Sequence, residues 1–345
     1  MVDTTAIQAS LIDDIRSRAN LAGRQWIADI VVDEVRPLTG GASSLTFIAD
    51  VTTPSVHDRV VLKVAPPGLA PVRNRDVLRQ ATVMAALQGI AGVRTPAVRF
   101  TDAGDPPGRP PFVAMEVVDG ECVEPLLDND RPRDPATRAE NRERYLNAAR
   151  MLAHLHRATI AETGLDDQPV TTLNDEIDRW TRAFETLPPE LQGTYRDCET
   201  ALRETTPAPV APVISHGDYR LGNTMCVGSE ITAIIDWEIW VVGDPRIDLS
   251  WLIYFTDEAG HPAAAQSETP SGSPTIAEVV AEYEATLGHH VADLEWFNAL
   301  TRYKEAAATG LLIKRARRGQ APESLLSLED DVPRMISEAL TLLHS

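Results

Sequence analysis

The chain has 345 residues, 43% of them apolar and 24% charged, and its formal net charge is −19. This length is sufficient for two lobes or domains, each with its own core. The strong negative charge argues against nucleic-acid backbones and anionic membranes as partners. The longest apolar runs, such as Val60 to Val64, have the length of a strand, and none is long enough to span a bilayer.

The N-terminal segment and the cysteines indicate the cellular compartment. Met1 to Ala22 carries three aspartates and lacks a basic stretch followed by an apolar one, so it does not resemble a secretory signal. Cys122, Cys198 and Cys226 have no metal-ligand spacing, and three thiols cannot all pair with one another. We therefore expect a reduced, cytoplasmic setting.

The negative charge is concentrated in the second part of the chain. Residues 1–120 contain 12 Lys and Arg against 13 Asp and Glu, whereas residues 121–345 contain 20 against 38. An acidic region of this kind would suit a cationic ligand, but carboxylates that only solvate helix faces explain the same count. Charge alone therefore does not locate a pocket.

The first part of the chain is predicted to be rich in strands. Apolar and β-branched runs bounded by turn residues predict strands at Ile30 to Val35, Leu45 to Val51, Val60 to Val64 and Phe112 to Val118. Apolar residues at helical spacing predict one helix, from about Asn74 to Gln88. Asp119 and Gly120 end the last strand, and we place the boundary between the two parts after residue 120.

The second part is predicted to be mainly helical. Tyr145, Ala148, Leu152 and Leu155 recur at helical spacing. The two histidines on the same helix, His154 and His156, are interpreted as structural or surface residues. Further helices are predicted near 174–187, 247–256, 275–287, 292–318 and 327–343.

The most informative stretch is His-Gly-Asp-Tyr-Arg-Leu-Gly-Asn at 216–223, which is followed by Ile-Ile-Asp-Trp-Glu at 234–238. Asp218, Asn223 and Asp236 are the residue types that a phosphoryl-transfer site needs. One carboxylate accepts the proton of an attacking hydroxyl, while an amide oxygen and a second carboxylate hold the metal ion that bridges the nucleotide phosphates. The alternative is a turn without chemistry, because Asp, Gly and Asn favour turns for conformational reasons alone.

The surrounding pattern predicts how these side chains would meet. Gly217 permits a sharp turn after a short apolar strand at Pro212 to Ser215. The two strands of a hairpin are predicted at Met225 to Val227 and Ile231 to Ile235. Such a hairpin would return the amide and the second carboxylate to the side of the first carboxylate.

These motifs resemble, in the same order, those of the aminoglycoside phosphotransferase family of small-molecule kinases. The resemblance rests on His-Gly-Asp-x-x-x-x-Asn, on Ile-Asp-Trp-Glu and on Gly-Asp-Pro-x-x-Asp-Leu at 243–249, and it extends from about Val32 to Thr256. It implies an α+β, bilobal, protein-kinase-like fold. Residues 1–120 would be a small β-rich lobe that binds the nucleotide, and residues 121–345 a larger, mainly helical lobe for catalysis and acceptor binding.

The resemblance also implies a role for each motif residue. Asp218 would be the catalytic base, Asn223 and Asp236 would bind Mg²⁺, and Asp248 would brace the catalytic loop from the start of the next helix. Arg220 would either neutralise charge on the transferred phosphoryl group or form a structural ion pair. The implied cofactors are ATP and Mg²⁺, and the implied partner is a small molecule with a hydroxyl acceptor.

On the nucleotide side, Lys63 in Val-Val-Leu-Lys-Val matches the strand lysine that contacts the phosphates in this fold. The main chain at Glu116 and Val118 would meet the adenine edge, because Met-Glu-Val-Val resembles the hinge between the lobes. The glycine loop before the lysine could contact phosphate oxygens or form an ordinary hairpin turn. The residues of this loop that would contact the nucleotide are Gly40, Gly41, Ser43 and Ser44.

One departure from the family pattern lies on the predicted helix. The strand lysine of the family pairs with a helix glutamate, but Gln80 occupies the expected position, and Asp76 lies one turn earlier. Gln80 could hydrogen-bond Lys63 without supplying a charge, or Asp76 could substitute after some rotation of the helix. This departure keeps a nucleotide- or metabolite-binding pseudokinase, with little or no transfer activity, as the alternative to an active kinase.

The identity of the acceptor stays open. The basic cluster Lys-Arg-Ala-Arg-Arg at 314–318 favours an anionic acceptor such as a hydroxyacyl thioester, or it only complements the dipole of its helix. The acidic second part favours instead a cationic acceptor such as an aminoglycoside or an amino alcohol. Because no residue pattern specifically indicates an aminoglycoside pocket, we expect a metabolic hydroxyl compound that is not an antibiotic.

Overall fold

The structure, a computed structural model, describes residues 4–38, 44–55, 57–128, 130–262, 264 and 268–344. The chain separates into two compact units. The N-terminal unit consists of Met1–Cys122, Asn223–Val227 and Ile231–Trp240. The C-terminal unit consists of Val123–Gly222, Gly228–Glu230 and Val241–Ser345.

The strands lie mainly in the N-terminal unit and the helices mainly in the C-terminal unit. The strands are β1 (Val31–Pro37), β2 (Leu45–Thr52), β3 (His57–Val64), β4 (Val98–Asp102), β5 (Phe112–Glu116), β6 (Val213–Ser215), β7 (Thr224–Val227), β8 (Glu230–Ile234) and β9 (Val241–Gly243). The α-helices are α1 (Thr4–Gly23), α2 (Val77–Leu87), α3 (Pro135–Arg157), α4 (Ile160–Thr163), α5 (Leu173–Phe184), α6 (Tyr195–Glu204), α7 (Arg246–Tyr254), α8 (Ile276–Leu287), α9 (Leu294–Ala316) and α10 (Asp331–Leu343). The predicted strands and helices are confirmed, whereas the sequence patterns do not indicate α1, β4, α4, α6 or β9.

The N-terminal unit is built on an antiparallel sheet with the strand order β1-β2-β3-β5-β4. Alternation along β3 explains both the core beneath this sheet and the place of the candidate lysine. Val60, Leu62 and Val64 are fully buried in that core. Because successive residues of a strand point to opposite faces, Lys63 projects from the other face of the sheet.

Helix α1 covers the sheet through apolar contacts and one reciprocal pair of hydrogen bonds. Ile15 and Ala19 are fully buried in the same core as the strand residues. Asn20 Nδ2 donates to the carbonyl of Val32 over 2.8 Å, and the Val32 N–H donates to Asn20 Oδ1 over 2.9 Å. Since β1 is an edge strand, the amide of Asn20 replaces a neighbouring strand for one residue.

The hairpin of β7 and β8 belongs almost entirely to the N-terminal unit. The main chains of Cys226 and Glu121 exchange two hydrogen bonds of 2.9 Å, and the Ile234 N–H donates to the carbonyl of Arg94 over 2.8 Å. Gly120, with φ 126°, allows this approach, because a Cβ there would lie 2.6 Å from the Cys226 carbonyl oxygen. The expected division after residue 120 therefore differs from the structure, since it assigns this hairpin to the second part.

The C-terminal unit is arranged around α9, which packs against α5, α6, α7 and α10. Phe184, Trp251, Phe297 and Tyr303 lie in its core. Within the described ranges, no helix is both long enough and apolar enough to cross a membrane.

Candidate functional site

The loop at 216–223 is held by the carboxylate of Asp248. Gly217 adopts a left-handed conformation with φ 84°, which turns the chain sharply after β6. The N–H groups of His216 and Gly217 donate to Oδ2 and Oδ1 of Asp248 over 2.6 and 2.7 Å. Because Asp248 lies in the first turn of α7, the prediction that it braces this loop is confirmed.

Asp248 is completely buried, and its partners favour the ionised form. Burial alone would raise the pKa of Asp248, but His156, whose Nε2 lies 3.4 Å from Oδ2, and the loop N–H groups hold this pKa below its usual value. His156 Nδ1 lies in turn 2.6 Å from the hydroxyl of Tyr283. These contacts agree with a structural role for His156 on α3.

Asp218 follows the turn, and an indole orients its carboxylate. Trp251 donates its Nε1–H to Oδ1 of Asp218 over 2.6 Å. The Asp218 side chain remains 30% exposed. A partly exposed carboxylate with one oriented oxygen can accept a proton from a ligand, as a general base must.

Arg220 is engaged in an ion pair. Its Nη1 lies 2.8 Å from Oε2 of the buried Glu124, and its Nε lies 3.5 Å from Oδ1 of Asp218. Gly222 N–H also donates to Glu124 Oε2, over 3.0 Å. Burial raises the pKa of Glu124 to about 7, although Arg220 and this N–H both lower it. Of the two predicted roles for Arg220, the structure shows the ion pair.

In the N-terminal unit, main-chain contacts place Asn223 beside Asp236. The Ile235 N–H donates to the Asn223 carbonyl over 2.9 Å, and Trp237 Nε1 donates to the Ile234 carbonyl over 3.0 Å. Asp236 adopts a left-handed conformation with φ 62° and ψ 53°, which costs free energy for a residue other than glycine and is frequent at functional sites. The predicted hairpin therefore brings these two candidate metal ligands together.

Lys63 reaches the carboxylate of this hairpin. Its Nζ donates to Oδ1 of Asp236 over 2.7 Å, and the two side chains are 12% and 38% exposed. One amide and one carboxylate supply the oxygen ligands that Mg²⁺ prefers, with phosphate and water to complete its coordination. No group of three or more His, Cys, Asp or Glu within the described residues could hold a metal ion by itself. Asn223 and Asp236 therefore fit two of the oxygen ligands of such a metal ion.

Gln80 and Lys63 do not hydrogen-bond each other, so the first of the two alternatives for the partner of Lys63 is not observed. Gln80 is buried, and its Nε2 donates to the carbonyl of Asn74 over 3.3 Å. Asp76 is not the substitute either, because it caps the N-terminus of α2 by accepting from the Arg79 N–H over 3.0 Å. Residue spacing does not determine the rotation of α2 about its axis, and this rotation decides which of its residues can meet the lysine.

Arg79 fastens α2 to the segment after Asp236. Its guanidinium lies over the ring of Trp240, 4.0 Å from the centroid, and donates to the Trp240 carbonyl over 2.8 Å. Trp240 Nε1 donates back to the Arg79 carbonyl over 3.1 Å. The helix is thus coupled to the candidate metal-binding segment through an arginine and not through the expected glutamate position.

The remaining predictions for nucleotide binding concern the glycine loop before β2 and the end of β5. Gly40, Gly41 and Ser43 lie outside the described residues. Ser44 is buried, and its Oγ has no hydrogen-bond partner in the described part of the chain. At the end of β5, the Glu116 N–H donates to the Ala97 carbonyl over 2.9 Å, and Val118 is partly buried just beyond the strand.

The C-terminal unit contains a cavity of about 350 Å³ that reaches Asp218 and Arg220. Its wall is mostly apolar and aromatic: Leu127, Trp251, Tyr254, Phe255, Pro262, Leu312, Leu325, Leu328 and Met335. Four further polar residues line it: His261, Glu305, Thr309 and Asp331. No member of the basic cluster at 314–318 belongs to this lining, and Lys314 and Arg317 contact Thr186, Glu190 and Glu329 instead.

Two ionisable groups of the cavity, Glu305 and His261, have pKa values shifted by burial. Burial raises the pKa of Glu305 to about 7, although Thr309 Oγ1 donates to its Oε1 over 3.2 Å. Burial lowers the pKa of His261 to about 4. At pH 7, His261 is therefore neutral and Glu305 is about half ionised.

Trp251, Lys304, Glu124 and Glu305 also belong to the site, but no motif identifies them. Trp251 has the strongest sequence signal, because it lies three residues after Asp248 on a predicted helix and so shares its face. Lys304 and Glu305 lie in a helix whose rotation is set only by packing. Glu124 lies in the segment between β5 and α3, for which we predict no element.

Comparison with known proteins identifies the fold. A solved structure from Ralstonia eutropha that carries the name aminoglycoside phosphotransferase superposes with a TM-score of 0.73 at 21% identity, covering 96% of this chain and 98% of that chain. Aminoglycoside phosphotransferase APH(2'')-Ib with bound ADP superposes with a TM-score of 0.54 at 15% identity, covering 96% and 98%. The predicted protein-kinase-like fold is thus confirmed.

Sequence comparison identifies the family. A probable acyl-CoA dehydrogenase of Arabidopsis thaliana is 29% identical over 226 residues, which are 61% of this chain and 26% of that protein. The chain spans about a quarter of the length of the first curated relatives that it matches. The profile of the phosphotransferase enzyme family matches residues 34–283, which is more than half of the chain. The chain therefore belongs to the phosphotransferase enzyme family.

Proposed function

We propose that this protein is an ATP- and Mg²⁺-dependent kinase that transfers the γ-phosphoryl group to a hydroxyl of a small molecule. The observation that carries this proposal is the position of Asp218. Its carboxylate is oriented by Trp251 over 2.6 Å and lines a cavity of about 350 Å³. A general base on the wall of a ligand-sized cavity is the arrangement that hydroxyl activation requires.

The N-terminal unit supplies the groups that would bind the nucleotide. Asn223 and Asp236 would hold Mg²⁺, which neutralises charge on the β- and γ-phosphates when it is bound. Lys63, now paired with Asp236, would turn to the phosphates, because an anionic ligand offers it a second partner. Ser44 and the main chain at Glu116 and Val118 would contact the phosphates and the adenine edge.

In the transfer step, the acceptor oxygen forms a bond to the γ-phosphorus while the bond from that phosphorus to the bridging oxygen of ADP breaks. The hydroxyl proton passes to the carboxylate of Asp218 and from there to solvent. Arg220 lies 3.5 Å from Asp218 Oδ1 and limits the movement of this carboxylate. Positioning and charge neutralisation would supply most of the rate enhancement, as the loose transition state of phosphoryl transfer leads us to expect.

The lining of the cavity indicates an acceptor with an apolar body. Burial of apolar ligand surface against the aromatic and aliphatic wall would supply most of the binding free energy. A relative named for acyl-CoA favours a hydroxyacyl compound, including its thioester, over an aminoglycoside. The net negative charge of the second part of the chain does not decide this point, because only three of its carboxylates among the described residues, those of Asp218, Glu305 and Asp331, line the cavity.

The second candidate function is a nucleotide-binding pseudokinase. It is favoured by Gln80, which neither carries a charge nor reaches Lys63. The presence of Asp218, Asn223 and Asp236 favours the kinase, because a protein that only binds nucleotide has no chemical need for the base.

The test is ATP turnover in the presence of Mg²⁺ with aminoglycosides, amino alcohols and hydroxyacyl thioesters at two salt concentrations. The proposal predicts turnover with a hydroxyacyl compound and little effect of salt, because apolar burial is not screened. Efficient, salt-sensitive turnover of an aminoglycoside would overturn the proposed acceptor class. Binding of ATP without turnover of any acceptor would favour the pseudokinase.

A further inference from the structure

Lys304 is a buried lysine that the transfer step does not use. It lies on α9, is 5% exposed, and does not line the cavity. Its Nζ donates to the carbonyl of Gly217, the residue before Asp218. Within the described residues no carboxylate forms an ion pair with it, and its other neighbours are the rings of Trp251 and Trp180, whose centroids lie 3.6 and 5.8 Å away.

A charge in this place is costly. Burying an ammonium group without a carboxylate partner loses hydration that a single carbonyl and two ring faces replace only in part. Burial accordingly lowers the pKa of Lys304, although Asp218 and Glu176 counteract this effect. A methionine would fill nearly the same volume at a lower desolvation cost, so packing alone does not account for a lysine here.

Trp251 connects this charge to Asp218. Its ring face receives the ammonium of Lys304 at 3.6 Å, and its Nε1–H donates to Oδ1 of Asp218 over 2.6 Å. A cation over an indole draws electron density from the ring, which makes the N–H a stronger donor. Lys304 therefore acts on the Asp218 loop at two points, the Gly217 carbonyl and the indole.

We propose that Lys304 and Trp251 are positioning residues for Asp218. Lys304 fixes the main chain before Asp218 and the ring of Trp251, and Trp251 fixes one carboxylate oxygen. The hydrogen bonds of Lys304 and Trp251 are observed directly in the structure. Their consequence for catalysis rests on the proposed function, in which Asp218 is the base.

The direct test is the indole ¹⁵N–¹H spectrum of the full chain, which contains six tryptophans. Trp251→Phe identifies the Trp251 signal by removing it. We expect Asp218→Asn and Lys304→Met to move this signal upfield in the proton dimension and to speed its exchange with water, because both changes weaken the hydrogen bond. Lys304→Arg should restore most of the parent position, since it keeps a cation over the ring.

Lys314→Met is the matched control, because Lys314 lies on the same helix and also donates to a main-chain carbonyl, that of Thr186 over 2.6 Å. It should leave the Trp251 signal in place. The proposal is overturned if Lys304→Met leaves the Trp251 signal unmoved while Asp218→Asn shifts it. If Lys304→Met does not fold, the Lys304→Arg variant gives the answer. In that variant, a Trp251 signal displaced as far as it is in Asp218→Asn would contradict a role for the cation.

A kinetic arm separates this proposal from the proposed function. With an accepted hydroxyl compound, Lys304→Met should lower kcat by about 10-fold and leave ATP affinity unchanged, because it displaces the base and not the nucleotide groups. An unchanged kcat would overturn the catalytic consequence. A parent protein that transfers no phosphate would contradict the proposed function, while the spectroscopic result would still decide the positioning role.

Discussion

The two units hold their functional carboxylates by different means. In the N-terminal unit, Asp236 is paired with the cation of Lys63 at 2.7 Å, and the hairpin main chain sets its place. In the C-terminal unit, Asp218 is oriented by the neutral indole of Trp251 and only loosely approached by Arg220 at 3.5 Å. The carboxylate of Asp236 is thus held by a cation, whereas one oxygen of Asp218 is held by a neutral donor.

This difference indicates how each unit should respond to amino-acid substitutions. An ion pair between partly exposed groups can exchange its partners when a phosphate or a metal ion arrives. Asp218 is held by side chains of α7 and α9, so the position of its carboxylate depends instead on how these helices pack. Nucleotide binding should therefore be sensitive to charge, and transfer should be sensitive to the geometry around the C-terminal cavity.

The largest effect should follow from Asp218→Asn. The change keeps the size of the side chain and removes the proton acceptor, so transfer should fall by about 100-fold or more with little change in ATP affinity. Steady-state turnover and calorimetry measure the two quantities. Asp166→Asn, at an exposed position of the same unit, is the control. Transfer at the parent rate would show that Asp218 is not the base.

Lys63→Met should weaken binding of ATP in the presence of Mg²⁺ by about 10-fold, because a charge-assisted hydrogen bond to phosphate is lost. Arg59→Met removes an exposed cation from the same strand and should have no such effect. Calorimetric titration of both variants gives the comparison. Equal affinities would mean that Lys63 pairs with Asp236 for structure alone.

Gln80→Glu should destabilise the N-terminal unit without improving nucleotide binding. The buried Gln80 would lose its donor to the Asn74 carbonyl, at a cost of about 1–3 kcal/mol in the free energy of unfolding. Urea denaturation measures this cost, and Gln88→Glu, at the exposed position just after the same helix, is the control. Unchanged stability together with tighter ATP binding would instead support the pairing with Lys63 that the sequence predicts.

The smallest effect should be a change in the pH dependence of stability with Glu305→Gln. The folded pKa of Glu305 is raised to about 7 from an ordinary value of 4.5, so its contribution is fully present below about pH 4.5 and is lost as pH rises through about 7. Glutamine does not titrate, so the variant should gain stability relative to the parent as the pH rises from about 4.5 through about 7. Urea denaturation at several pH values measures it. A constant difference between the two proteins would contradict the shifted pKa.

How much of this site the sequence predicts depends on how far apart its residues lie in the chain. Asn223 and Asp236 are joined by one hairpin, so motif spacing and turn residues are sufficient to predict that they lie close together. Trp251 and Asp218 are 33 residues apart, and Lys304 and Gly217 are 87 apart, with helices between them. Their meeting depends on how α7 and α9 rotate and pack, which local patterns do not determine.

The same limit explains why helical spacing does not show which residue of α2 pairs with Lys63. It also explains why the charge count does not reveal an apolar cavity. Helical spacing places Gln80 on the inward side of α2, where it is indeed buried, but not at the angle that faces Lys63. The charge of residues 121–345 is a property of the whole surface, whereas the cavity wall is drawn from apolar positions on several separate segments. A count of charges therefore carries no information about that wall.

Calorimetric titration with ATP, with and without Mg²⁺, tests most directly whether Asp236 and Asp218 have different roles. We predict that ATP binds, that removal of Mg²⁺ weakens binding, and that Asp236→Asn loses this dependence while Asp218→Asn keeps it. Absence of binding at millimolar ATP, with Mg²⁺ and without it, would contradict both the kinase and the nucleotide-binding pseudokinase.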